Sequence, residues 1–201
     1  MTTPRERPIL FSAPMVRALL AGTKTQTRRV VRFEYASEVA AWFNETADVW
    51  RMGVEGPGGV LADYGSLRCP YGAPGDRLWV RETFIYRHKH DRFYYRADHP
   101  TFDPYAHNGW KPSIYMPRRA SRITLEVTGV RVERLQAISE TDAMAEGIAC
   151  TNEHRWGLAA TGREHNAPTH AFRALWESIN GAELWAANPW VWVVEFKRVT
   201  P

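Results

Sequence analysis

Gly22-Thr23-Lys24-Thr25-Gln26-Thr27-Arg28-Arg29 places three hydroxyls, one amine and two guanidiniums within residues 22–29. Upstream, Met15, Val16, Leu19 and Leu20 follow Pro14 at helical spacing and Gly22 supplies a stop, so a short amphipathic helix ends where this polar run begins. Downstream, an extended backbone from Gln26 to Val31 sets Thr27 and Arg29 on one face and Arg28 on the other. The stretch is therefore a helix-to-strand junction, a place from which side chains reach a cavity mouth.

Outward from that junction, the chain reads mainly as strands. Between Glu34 and Pro74 the pattern predicts a helix at Ser37 to Phe43 and a hairpin of Val49 to Val54 with Val60 to Asp63, turned by the intervening Gly and Pro residues. The turn Pro74-Gly75-Asp76 launches a strand over Arg77 to Tyr86, and His88 to Asp91 returns the chain into Phe93 to Ala97. His99 to Pro117 is a long loop rich in proline and aromatic residues, a candidate lid. Arg122 to Leu135 alternates apolar and polar residues, with Gly129 placed for a bulge. Ser139 caps a helix by accepting from the amide of Asp142, and Gly147 stops it. Thr151 to Thr169 reads as mobile, Ala171 to Ile179 as a helix and Trp190 to Val199 as a closing strand. The fold class expected is α+β, mainly β: a small mixed or antiparallel β-barrel with short capping helices and inserted loops. A single domain over 1–201 is expected, with insertions near 34–74, 99–117 and 151–169.

Composition narrows the function classes. With 44% hydrophobic residues among 201, the chain can bury a sizeable core and is not globally disordered. No run approaches the roughly 20 apolar residues of a membrane-spanning helix, and Met1 to Arg7 is too polar for a secretory signal, so a cytoplasmic location is expected. Cys69 and Cys150 lack metal or redox spacing, and His88 and His90 in a hairpin turn are better explained as surface groups than as zinc ligands. No metal or cofactor is expected. The net charge of +4 is unevenly spread: residues 1–34 hold seven basic and two acidic side chains, and residues 77–134 hold twelve and six. If these segments meet in space they make a face that attracts phosphates; otherwise they solvate the outer sides of strands.

Read as G-x-K-x-x-[ET]-x-R, the stretch 22–29 resembles the signature of the ASCH domain, a PUA-like β-barrel of RNA-associated proteins, small bacterial enzymes and prophage proteins. Pro74 to Glu82 is similar to the turn and strand of phage-type members, Ile138 to Ile148 to the family's capped helix, and Val191 to Lys197 to its last strand. One branch hydrolyses N4-acetylcytidine to cytidine and acetate with a threonine nucleophile, a lysine and a glutamate. The resemblance implies those roles for Thr27, Lys24 and Glu146.

A threonine hydroxyl needs a base, and a lysine serves as one only if burial or a cationic neighbour such as Arg28 or Arg29 lowers its pKa. Both side chains are expected in a cleft and not in the core. Arg29, Glu82, Trp110 and Tyr115 complete the expected substrate-binding set. Glu82 competes with Glu146 for the acid role, or else pairs with an arginine such as Arg77 or Arg81 across a strand. Two further functions stand beside the amidohydrolase. Phe93, Tyr94, Tyr95, Tyr105, Trp110 and Tyr115, interleaved with Arg92, Arg96, Lys111, Arg118 and Arg119, suit stacking on single-stranded RNA. A ribonuclease ranks last, since no histidine pair converges. The expected partner is thus a modified cytosine nucleoside or single-stranded RNA, and no membrane.

Overall fold

The computed structural model of the chain describes residues 4–32, 41–46, 49–56, 59–99, 109–152, 155–158 and 164–199. The fold is mixed α+β, mainly β. Its strands in chain order are β1 (Glu6–Leu10), β2 (Gln26–Val30), β3 (Ala41–Thr46), β4 (Val49–Gly56), β5 (Gly59–Arg68), β6 (Arg77–Arg81), β7 (Phe84–Arg87), β8 (Arg92–Tyr95), β9 (Thr124–Arg134), β10 (Ile148–Asn152), β11 (Arg155–Leu158) and β12 (Trp190–Val199). The helices are α1 (Ala13–Leu20), α2 (Glu140–Ala145), α3 (Pro168–Asn180) and α4 (Ala182–Ala186). No helix among the described residues is long and apolar enough to cross a membrane.

The central sheet runs β1-β6-β9-β12-β2, with β1 parallel to β6 and every other pair antiparallel. Its organiser is β12, whose run Val191-Trp192-Val193-Val194 is buried on both faces. Period-2 alternation divides the run between two cores. Trp192, Val194 and Phe196 join Ile9, Phe11, Val16, Leu78, Val80 and Leu125 on one face. Val191 and Val193 join Leu135, Ala143, Ile148, Phe172 and Trp176 under α2 and α3 on the other. β9 follows β12 from Trp190↔Arg134 to Val199↔Thr124, with a register shift beside Gly129. A Cβ at Gly129 would lie 2.6 Å from the Glu195 carboxylate, the end of a flexible side chain that would swing aside. The sheet's pairings leave β1 and β2 at its two edges, yet the edges approach each other: Arg29 Nη2 on β2 donates to the Leu10 carbonyl at the end of β1 at 2.8 Å.

Several expectations change. Residues 37–40 of the expected helix lie outside the described residues, and Ala41 to Phe43 belong to β3, paired with Gly53 to Arg51 of β4. Here strand pairing overrides the helical reading. With β5, which continues to Arg68, these strands form a separate three-stranded sheet fastened to the core where Trp50 meets Trp192 edge-on at 6.1 Å. The single strand expected over Arg77 to Tyr86 breaks into β6 and β7 at Glu82 and Thr83, where the Glu82 amide turns to the Met116 sulfur and Thr83 accepts from Arg96. Of the expected lid, residues 100–108 lie outside the described set. The remainder is pinned: Lys111 exchanges both backbone hydrogen bonds with Phe84, and Met116 is fully buried. The stretch read as mobile contains the end of β10, all of β11, a Trp156–His165 bridge and the start of α3 at Pro168. Residues 153–154 and 159–163 lie outside the described set.

Candidate functional site

The junction forms as its sequence dictates. α1 ends at Leu20, Gly22 takes φ +75°, and the amides of Thr23 and Lys24 both return to the Ala18 carbonyl. Glycine adopts this left-handed step without a Cβ penalty. Lys24 then bridges antiparallel to Glu146, directly after α2. Ser139 Oγ accepts from the Asp142 amide at 3.1 Å, and Gly147 stops the helix at φ +98°, so both ends of α2 follow the capping pattern.

Lys24 and Glu146 are thereby joined across 122 positions of sequence. Lys24 Nζ donates to Glu146 Oε2 at 2.7 Å and to the Glu146 carbonyl at 2.8 Å. Both residues are buried, with Lys24 2% and Glu146 3% exposed. Burial is the main force lowering the Lys24 pKa below its ordinary range; Glu146 opposes it, and Arg29 and Arg28 add smaller downward pushes. An aromatic face completes the surroundings, with Nζ 5.6 Å from the Phe11 ring centre.

Arg28 points to the opposite face of β2, as alternation requires. It is 1% exposed and lies 3.4 Å from Glu146 Oε1, 3.2 Å from Asp142 Oδ2, and in a close pair with Glu133. Arg131 extends the network to Glu133 at 3.1 Å, to Asp142 at 2.8 Å and to Glu195. This network was not read from the sequence. The only signals were the Arg131-x-Glu133 repeat on one face of a strand and an acidic residue in the first turn of α2. Thr27 shares its face with Arg29, and its hydroxyl is fully buried with no hydrogen-bond partner. An unpartnered buried hydroxyl is destabilising by about 1–3 kcal/mol and marks a position where stability alone does not account for the residue.

A cavity of about 350 Å³ opens beside this group, between the β1 and β2 edges and α3. Its walls include Arg28, Arg29 and Glu146, with Ile9, Phe172 and Trp176 giving it a mostly apolar lining. Lys24 and Thr27 are not in its walls. The expectation of an open cleft for these two is therefore corrected: both are buried, at 2% and 0% exposure.

The remaining expected residues lie elsewhere. Glu82 is 1% exposed and is held by Arg122 at 2.9 and 3.1 Å, while Arg122 also binds Asp98 at 2.9 and 2.7 Å and stacks 4.0 Å over Tyr95. Its partner is thus Arg122, not Arg77 or Arg81. Burial raises the Glu82 pKa, which the Arg122 bonds partly offset. Trp110 and Tyr115 line a different depression of about 620 Å³ with Tyr86, Phe93, Lys111 and Arg119. They do not line the cavity beside Glu146, so the expected substrate-binding set divides among three places.

No family model, curated protein or solved structure matches the chain.

Residues of the two basic segments meet in space, since β1 pairs with β6 from Glu6↔Arg77 to Leu10↔Arg81. Much of that charge is internally compensated, because Arg118 pairs with Glu6, Arg122 with Glu82 and Asp98, and Arg28 and Arg131 with the acidic network. His88 and His90 are exposed in a 3-10 turn, and no group of three or more metal-ligating side chains occurs among the described residues. Cys69 is buried, with its thiol pushed up to about 11 by burial, and Cys150 is exposed. Trp192 fills the core, whereas Trp79 and Trp190 are half-buried beneath Arg81 and Arg134.

Proposed function

We propose that the chain is an amidohydrolase that removes the acyl group from an N4-acylated cytosine nucleoside, on a PUA-like barrel of the ASCH type. One observation carries the reading: the signature stretch and the residue after α2 converge into a buried lysine–glutamate pair, with an unpartnered threonine hydroxyl three residues further along the chain, on β2. The barrel reading draws support from the Arg29–Leu10 bridge across the sheet edges.

In this scheme Thr27 Oγ attacks the acyl carbonyl carbon while neutral Lys24 takes the hydroxyl proton. Collapse of the tetrahedral intermediate breaks the carbon–N4 bond, and N4 takes a proton from the Lys24–Glu146 pair to leave as the cytosine amine. Water then hydrolyses the threonine ester to release the carboxylate. Lowering of the Lys24 pKa by burial favours the neutral amine that the first step requires. Because Thr27 and Lys24 are buried outside the cavity walls and Lys24 is bonded to Glu146, substrate entry must both uncover the Thr27 hydroxyl and move the amine from the carboxylate toward it. Glu146, reached from both the cavity and Lys24, is the carboxylate assigned to proton transfer, and Glu82 is left a structural role with Arg122.

The test is incubation of the purified protein with N4-acetylcytidine, following cytidine and acetate. Release that disappears in Thr27→Val and Lys24→Met supports the scheme; no release by the folded wild-type protein overturns it.

A second reading, a single-stranded RNA-binding module, is favoured by the depression in which Tyr86, Phe93, Trp110 and Tyr115 stand with Lys111 and Arg119. Affinity for an oligoribonucleotide that falls steeply with salt supports it, and absence of binding at low ionic strength removes it.

A further inference from the structure

Two residues in the walls of the cavity beside Glu146 carry a buried hydrogen-bond donor for which the protein supplies no acceptor. One donor is Nε of Arg28, whose other nitrogens hold Glu133, Asp142 and Glu146; the second is the indole Nε1 of Trp176 on α3. Two further wall residues have their nitrogens engaged, since Arg29 donates to the Leu10 and Arg28 carbonyls and Asn180 to the Trp176 carbonyl. A buried donor without a partner is destabilising, and two of them around one cavity point to a ligand that brings the acceptors. Glu146 supplies the opposite function. Its Oε2 accepts from Lys24 and its Oε1 from Arg28, and a carboxylate oxygen has lone pairs for two such bonds. These groups follow one another in space: Arg28 Nη1 lies 3.4 Å from Glu146 Oε1, the Arg28 guanidinium carbon 5.8 Å from the Phe172 ring centre, and the Phe172 ring centre 6.0 Å from that of Trp176. The order is acceptor, donor, donor.

We infer that this wall reads the pairing edge of a cytosine, with N4–H on Glu146, N3 on Arg28 Nε and the ring carbonyl O2 on Trp176 Nε1, and that it thereby rejects uracil. The cytosine edge runs donor, acceptor, acceptor, the complement of the wall. Uracil presents a carbonyl at position 4 and an N–H at position 3, so it sets acceptor against Glu146 and donor against Arg28. An N4-acylated cytosine keeps one hydrogen on N4, and substrate and product therefore offer the same edge. The inference rests on the nucleoside reading proposed above and names the residues that select its base: Arg28 and Trp176 determine specificity, and their bonds hold N4, the atom of the bond to be broken, against the carboxylate assigned to its proton transfer.

Calorimetric titration of the full chain with cytidine and uridine tests the edge. Cytidine should bind about ten- to one-hundred-fold more tightly, the penalty of leaving buried polar groups mismatched. Trp176→Phe removes the indole N–H and keeps an aromatic ring, so it should weaken both nucleosides by about two- to ten-fold and leave their ratio unchanged, because O2 is common to both. If that variant does not fold, N4-acetylcytosine and 4-acetamidopyrimidine, which lacks the ring carbonyl, decide the same contact on the wild-type chain, the first binding more tightly by a similar factor. Equal affinity for cytidine and uridine overturns the edge assignment. Unchanged affinity or an altered ratio in Trp176→Phe, or equal binding of the two acetylated bases, overturns the O2 contact and with it the role of Trp176. Turnover of N4-acetylcytidine with no preference for cytidine overturns this inference alone; no turnover and no binding of either nucleoside overturns the nucleoside reading together with it.

Discussion

Replacing Glu146 by Gln keeps the shape and one acceptor oxygen but removes the charge that faces Lys24 at 2.7 Å. The Lys24 side chain has no solvent exposure, so its ammonium then retains only neutral acceptors, the amide oxygen and the main-chain carbonyl at 2.8 Å. Arg28, 3.4 Å from the other carboxylate oxygen, loses a counter-charge as well, although Glu133 and Asp142 still hold it. Removing one partner of a buried pair costs about 3–5 kcal/mol. At about 2–4 °C per kcal/mol for a chain of this size, Tm falls by roughly 6–20 °C. Burial lowers the Lys24 pKa below 10.5, and Glu146 opposes the shift. Between the folded-state value and 10.5 the unfolded chain binds a proton that the folded chain has lost, so this group's contribution to stability rises with pH. Without the Glu146 charge the folded-state value drops further and that window opens at lower pH. The deficit of Glu146→Gln relative to wild type should therefore be larger at about pH 6 than at a pH just below 10.5, because the share of neutral amine, which needs no counter-charge, rises with pH. Lys24→Met/Glu146→Gln should recover much of the lost stability at the lower pH. Urea unfolding followed by circular dichroism at both pH values measures all of this. A deficit below about 1 kcal/mol, the scale of an exposed pair, or one that grows with pH, refutes the buried-pair reasoning.

Thr27→Val removes an unpartnered buried hydroxyl at nearly constant volume, so stability should hold or rise by up to about 1 kcal/mol while deacylation is lost; loss of fold, measured by thermal melt, would count against it. Glu82→Ala should destabilise by about 1–3 kcal/mol through Arg122, itself partly exposed, and leave the rate per folded molecule unchanged, whereas a large drop in that rate would return Glu82 to the catalytic set. Trp110→Ala should weaken oligoribonucleotide binding by about 1–3 kcal/mol without affecting cytidine affinity, because Trp110 lines a different depression from Glu146; titration by fluorescence anisotropy and calorimetry reads both. Ser139→Ala should cost about 0.5–2 kcal/mol by uncapping α2, and a null effect in chemical denaturation would show that packing alone holds that helix end.

Elements governed by local rules were legible in the sequence. α1 with its Gly22 stop, the Ser139 cap and Gly147 stop of α2, and the span Trp190 to Val199 of β12 depend on periodicity and backbone preference, which neighbouring residues encode. The opposite facing of Thr27 and Arg28 was likewise determined by strand alternation alone. What tertiary structure decided were the partners of charged groups: Lys24 with Glu146 over 122 positions, Arg28 with Glu133, and Glu82 with Arg122 over 40. Charge attraction has no period and no sequence reach, so its pairings appear only once strands bring distant residues together. The same holds for the division of Trp110 and Tyr115 from the cavity beside Glu146, because Lys111 is tied to Phe84 by a non-local backbone pair. Burial also reversed a local expectation: Lys24 and Thr27, polar residues in a polar run, lie in the interior because β12 pairs with the strand that carries Thr27 and the residue after α2 takes up Lys24.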